Sequence, residues 1–209
     1  MSVRRKLLSA AICSFCILIG IAYANSILFK TKKELLVSVL SLSKGDTVLV
    51  TSPAKTRILI DAGGDRSILR ALGQTLPPWV RSLDAFIETA KVSGATGGAA
   101  DVRRYYNVGR VLTQADVHRG MRLDFGGGAY ADVLYPDRDT SKMNPEDGAI
   151  VLRVIYGQTS FLIKENISAR ADEWLTKIDG PSPKGEVVIA SSTPQGITYV
   201  SDGNHIEEE

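Results

Sequence analysis

Three acidic residues stand where apolar, β-branched runs give out: Asp61 after Ile58-Leu59-Ile60, Glu88 after Phe86-Ile87, and Glu165 just past Phe161-Leu162-Ile163. Carboxylate oxygens are hard ligands. Three of them brought together would hold Mg²⁺ or Mn²⁺, a set suited to phosphodiester chemistry. Lys91 and Lys164 lie in the same stretches and oppose a cation there. Their ammonium groups favour an anion instead, and the glycine-rich Ser93-Gly94-Ala95-Thr96-Gly97-Gly98 offers backbone N–H groups ahead of a helical segment. Lys91, Lys164, Gly97 and Gly98 are therefore a candidate site for phosphate or carboxylate, binding without hydrolysis.

Other chemistry is scarce. Two histidines, His118 and His205, lie in polar stretches and read as surface residues. With two cysteines besides, the chain cannot be a disulfide scaffold, a zinc ribbon or a three-histidine metal enzyme. Cys13 and Cys16 form a C-x-x-C, but inside an uncharged apolar run, where they read as packing residues rather than a redox pair. Ser191-Ser192-Thr193 supplies hydroxyls with no base beside them. Arg103-Arg104-Tyr105-Tyr106 and Arg110 mix cations with rings, as single-strand binders do. We expect those tyrosines to face a core and the arginines water. Four of the 25 bases (Arg4, Arg5, Lys6, Lys30) and none of the 23 acids fall in residues 1–30, so the overall +2 becomes −2 beyond them. That balance does not support nucleic acid as a partner.

The elements that must position these residues alternate between strand and helix. Leu35–Leu42, Asp46–Ser52 and Thr56–Ala62 read as strands separated by turns, and Ser67–Leu76 as a helix stopped by Pro77-Pro78. Trp79 is expected to pack under that helix end. Leu83–Ala90 reads as a buried strand, followed by the glycine-rich loop and a short helix ending near Tyr106. Val108–Thr113 is a short strand, and Arg122–Pro136 a hairpin around a glycine turn. Ala149–Asn166 is two strands around Gly157-Gln158. A helix over Ser168–Ile178 should bury Ala171, Trp174, Leu175 and Ile178. Strands over Glu186–Ser192 and Gly196–Ser201 close the body, and residues 204–209 read as a solvated acidic tail. The mixture predicts a layered α/β (α+β) sandwich, and its hairpins exclude a purely parallel sheet.

Four stretches in this order resemble the metallo-β-lactamase fold, and within it the C-terminal soluble domain of the competence protein ComEC, a bacterial DNA-uptake channel. LLVSVLSLSKGDTVLV is similar to that family's FLDVGQGDAILI, TRILIDAGG to NILIDGG, LDAFIETAKVSGATGG to VVLTHPHADHIGG, and AIVLRVIYGQTSFLIKEN to SLVLRLEYGKTSFLLTGD. The resemblance spans Leu35 to Gly203 and implies an αββα sandwich, with one or two metal ions held in a cleft at its top. There H-x-H-x-D-H supplies most ligands, a bridging Asp follows later, and the ions activate water. Anchored on Gly97-Gly98, the ligand positions fall on Ala90, Val92, Gly94 and Ala95. The bridging Asp falls on Asn166, and a late His-His pair on Ser191-Ser192. Not one of the first four can bind a metal. Only Asp61 keeps its identity, and its expected role is to cap the turn at Ala62-Gly63-Gly64. The reading is a degenerate domain with no cofactor. The alternatives are a hydrolase with a metal site rebuilt from Asp61, Glu88 and Glu165, and an anion or nucleic-acid binding module.

Ahead of this domain, Arg4-Arg5-Lys6 precedes the uncharged run Leu7–Ala24, which Ser26-Ile27-Leu28-Phe29 extends. About 20 apolar residues cross a bilayer, so residues 1–29 read as a single-pass signal anchor, with residues 7–29 in the membrane. The alternative is a signal peptide cleaved after Ala22-Tyr23-Ala24. Residues 30–34 are then a linker and 35–203 the domain. The basic end stays in the cytoplasm, which places the body outside the cell membrane, tethered or secreted. Its expected role is to bind or scaffold an unknown protein or anionic ligand, with DNA uptake as the pathway the resemblance suggests.

Overall fold

The computed structural model describes residues 33–209. The membrane segment expected over residues 7–29 lies outside them. Among the described residues no helix is long and apolar enough to cross a membrane.

Three short strands open the body: β1 (Leu35–Val39), β2 (Val48–Thr51) and β3 (Arg57–Ile60). After helix α1 (Ser67–Thr75) come β4 (Ser82–Ile87), the single turn α2 (Ser93–Thr96), α3 (Ala99–Tyr105) and β5 (Asn107–Leu112). The hairpin β6 (Arg122–Gly126) and β7 (Ala129–Tyr135) leads through a 3-10 turn at Pro145–Gly148 to β8 (Val151–Tyr156) and β9 (Thr159–Ile163). Helix α4 (Ala169–Asp179), β10 (Val187–Ile189), β11 (Ile197–Ser201) and β12 (Ile206–Glu208) complete the chain. Two sheets result, one of seven strands in the order β12-β11-β1-β2-β3-β4-β5 and one of five in the order β10-β9-β8-β7-β6.

Alternation along the strands builds three apolar layers, because successive side chains point to opposite faces. Val48, Val50, Ile58 and Ile60 meet Ala131, Val133, Leu152, Val154 and Phe161 between the sheets. Leu49 and Leu59 point the other way, onto Ile68, Leu72 and Val102 of α1 and α3. Val151 and Leu162 likewise turn outward, onto Ala171 and Leu175 of α4. The order is helix, sheet, sheet, helix, as the resemblance implies. Ser168 caps α4 by accepting from the Ala171 N–H at 3.2 Å, worth about 1 kcal/mol.

Four expectations need correction. Residues 204–209 are not a free tail: Ile206–Glu208 pairs antiparallel with β11. Asp202 makes the reversal by accepting from the Asn204 and His205 N–H groups, and Ile206 packs on the inter-sheet core. Ile178 is exposed, since α4 ends one residue later, past the edge of its sheet. Trp79 is 82% exposed rather than packed under α1, because Leu76 and Val80 already close that end of the core. Of the two tyrosines, Tyr106 is buried and Tyr105 is half-exposed.

Two parallel strand pairs fix where the site lies. β3 and β4 are parallel, so Asp61, one residue past β3, and Thr89, two residues past β4, leave the sheet at the same edge. β9 and β10 are also parallel, which brings Glu165-Asn166 and Ser191 out together. The Ile150 N–H donates to the Thr89 carbonyl at 2.9 Å and joins the two sheets at that edge.

Candidate functional site: a carboxylate pair under a closed loop

Asp61 is fully buried with φ +59°. This left-handed backbone turns its carboxylate back over the sheet edge. Oδ1 accepts from the Thr89 N–H at 2.7 Å, and Oδ2 accepts from the Thr89 hydroxyl at 2.5 Å and the Asn166 amide at 2.9 Å. The expected cap on Ala62-Gly63-Gly64 is therefore not what Asp61 makes. It straps the end of β3 to the end of β4 and, through Asn166, to the other sheet. Burial pushes its pKa up to about 7, against the three hydrogen bonds, with the Glu88 charge adding to the rise.

Glu165 is 1% exposed, and among the described residues neither of its oxygens has a hydrogen-bond partner; Thr47 Oγ1 is likewise buried with no partner among them. Burial, then the charges of Asp61 and Asp46, push its pKa well above the ordinary glutamate value. Of this carboxyl pair, Asp61 has the donors that favour ionisation and Glu165 has none. The negative charge belongs on Asp61 and the retained proton on Glu165.

The loop over Ala90–Gly98 lies on this floor backbone to backbone. The Ala62 N–H donates to the Ala95 carbonyl at 2.7 Å, and the Gly98 N–H donates to the Gly63 carbonyl at 3.2 Å. A Cβ on Gly45 would stand 2.0 Å from the Gly94 carbonyl oxygen, and one on Gly97 2.2 Å from that of Gly64. Only glycine permits that approach, and at Gly45 φ is +77° besides. A Cβ on Gly94 would lie 4.0 Å from Asn166 Oδ1, so Gly94 and Asn166 face each other. Ser191 Oγ accepts from the Asn166 N–H at 3.4 Å. Ala90 and Ala95 are fully buried. Positions Gly94, Asn166 and Ser191 are thus drawn together near Asp61.

The candidate anion site is not assembled. The Gly97 N–H donates to the Ser93 carbonyl and the Gly98 N–H to Gly63, so neither is free for a ligand. Lys164 Nζ is turned to the Asp172 carboxylate at 2.8 and 2.9 Å, and Lys91 is exposed. The candidate carboxylate trio divides as well. Glu88 is ion-paired with Arg103, whose guanidinium also lies over the Phe86 ring, leaving Asp61 and Glu165 as the buried pair. Among the described residues no group of three or more His, Cys, Asp and Glu side chains could hold a metal ion. His118 Nδ1 is at the Arg119 carbonyl, and His205 is exposed beside Asp202.

The sequence reading missed Thr89, Thr47 and the burial of Glu165. For Thr89 a signal existed: it stands where the quoted family stretch has its threonine, immediately before the first ligand position. Nothing in the local sequence marks Glu165 as buried, because Lys164 and Asn166 beside it are polar.

Solved structures match this arrangement at low identity. A β-lactamase from Chitinophaga pinensis superimposes with a TM-score of 0.53 over 74% of this chain and 74% of its own, at 16% identity. A metallo-β-lactamase from Cronobacter sakazakii with a HARLDQ motif gives 0.51 over 74% of each chain, at 15% identity. The Rm3 metallo-β-lactamase gives 0.50 over 75% of this chain and 77% of its own, at 13% identity. The chain has the metallo-β-lactamase fold. No family model matches it, and no curated protein matches it. A metal centre of the kind the fold implies needs three or four donor side chains. Ala90, Val92, Gly94 and Ala95 have none, Asn166 has an uncharged amide already spent on Asp61, and Lys164 is in an ion pair. The residues present do not fit such a centre.

Proposed function

We propose that this chain is a non-hydrolytic metallo-β-lactamase-fold module, related to the ComEC soluble domain, that binds or scaffolds a partner at the outer face of a cell membrane. Residues 7–29 hold it there. One observation carries the reading. The four loop positions that would supply ligands bear two methyl groups, an isopropyl group and a bare backbone, while the one retained carboxylate, Asp61, is consumed by Thr89 and Asn166. Each ligand contributes several kcal/mol to metal binding, and their joint loss removes the ion and the water it would activate. What the sandwich retains is a rigid body with an interlocked loop edge, which suits recognition.

The test is metal analysis and hydrolysis by the full chain in detergent, after equilibration with Zn²⁺ and then Mn²⁺ and dialysis. Less than about 0.1 ion per chain is expected, with no turnover of a chromogenic phosphodiester or β-lactam. Near-stoichiometric metal together with turnover lost on Asp61→Asn overturns the proposal.

A further inference from the structure

A second concave site lies between the β7–β8 loop and the start of α4. It is a cavity of about 360 Å³, and none of Asp61, Glu165 or Asn166 lines it. Its floor is aromatic. The rings of Tyr135 and Trp174 are 5.4 Å apart at 54°, the tilted arrangement such rings prefer, beside buried Ala171. The Tyr135 hydroxyl is fixed by donating to the Asp147 carbonyl at 2.6 Å, and burial raises its pKa, so the ring stays neutral.

The rim is cationic. Arg138, Lys142 and Arg170 line the cavity and are exposed. Arg138 is matched by Asp137 at 2.9 Å, whereas neither Lys142 nor Arg170 makes an ion pair among the described residues. The single acid in the lining, Asp147, is engaged through Oδ1 by the Ser168 hydroxyl. Arg170 stands in the first turn of α4, where the helix dipole disfavours a cation. The acid of the same turn, Asp172, is paired with Lys164. In a body with net charge −2 beyond residue 30, this lining sets three cations against the one carboxylate of Asp147 around an aromatic floor.

We propose that this cavity binds a small anion carrying a flat ring, with the ring against Tyr135 and Trp174 and the anionic group between Lys142 and Arg170. The volume suits a ligand of mononucleotide size. The inference gives the binding role above a ligand class, but it uses other residues and involves no metal, so either reading can fail without the other.

The test is titration of the full chain in detergent with adenosine 5′-monophosphate. Trp174 emission is the readout, in a Trp79→Phe background that removes the exposed second indole. We expect saturable quenching at millimolar concentration or below. We also expect at least about tenfold weakening in Lys142→Glu/Arg170→Glu, since two charge-assisted contacts are reversed. Adenosine alone and inorganic phosphate alone should each bind at least about tenfold more weakly than the whole molecule. An unchanged far-UV circular dichroism spectrum establishes that the double variant folds. If the double variant does not fold, Arg170→Gln in the same background replaces it, with about threefold weakening expected. The proposal is overturned by no saturation up to about 10 mM, by binding that ignores the charge changes, or by inorganic phosphate binding as tightly as the nucleotide.

Discussion

Glu165→Gln should change how stability depends on pH more than stability itself. Among the described residues the buried carboxyl of Glu165 has no donor to support its charge, and Asp61 and Asp46 add negative potential. The folded chain therefore keeps a proton that the unfolded chain releases near the ordinary value of 4.5. Because the folded state binds more protons, this stability is fully present below that pH and is lost as pH rises towards the folded pKa. The slope is at most about 1.4 kcal/mol per pH unit between the unfolded and the folded pKa, always downward as pH rises. Glutamine has nearly the same shape, is equally unpartnered and carries no proton to lose. The variant should match the native chain within about 1 kcal/mol at pH 5, and its advantage should widen steadily as pH rises above that. Asp61, raised to about 7, adds its own downward slope from about pH 4 to 7 in both proteins, which cancels in the difference. Urea unfolding of the full chain in detergent, followed by circular dichroism at each pH, measures this. Two curves that stay parallel from pH 5 to 8 would refute the reasoning, because Glu165 would then ionise in the fold as freely as in the unfolded chain.

Asp61→Ala leaves the Thr89 N–H, the Thr89 hydroxyl and the Asn166 amide without their acceptor. Urea unfolding at pH 5, below the folded pKa of about 7, where the native chain does not yet bear the cost of ionising Asp61, should show a loss of about 3 kcal/mol; a loss below about 1 kcal/mol would mean the strap is dispensable. Gly45→Ala should leave little folded protein, since its methyl group would lie 2.0 Å from a backbone oxygen at φ +77°. Gly120→Ala, at φ +88° with nothing within 4 Å, should cost only about 1 kcal/mol by thermal unfolding. Equal losses in the two would show that the close approach of the Gly45 and Gly94 loops is not what demands glycine.

Most of the strands and helices were legible in the chain, and the order of the layers followed from the resemblance. The continuous apolar runs Ile58–Ile60 and Ala149–Leu152 report strands buried on both faces, and the 3.6-residue pattern after Ser67 a helix with one buried face, properties that local sequence carries. So does the chemical poverty of Ala90, Val92, Gly94 and Ala95, because side chains without lone pairs cannot coordinate a metal in any fold. Long-range partners decided the rest. Asp61 reads as a turn cap because carboxylates often satisfy the next N–H groups along. In the fold Thr89 and Asn166, 28 and 105 residues away, reach it first. Gly97 and Gly98 look like a cradle for an anion until Ser93 and Gly63 take their N–H groups. Lys164 looks free until α4 brings Asp172 to it. The cavity over Tyr135 and Trp174 joins residues of a hairpin strand, a loop and a helix whose order along the chain gives no hint of contact. Hydrogen-bonding capacity and charge are properties of a residue; which neighbour satisfies them, and which carboxyl is left with none, depends on which strand edges the fold sets side by side.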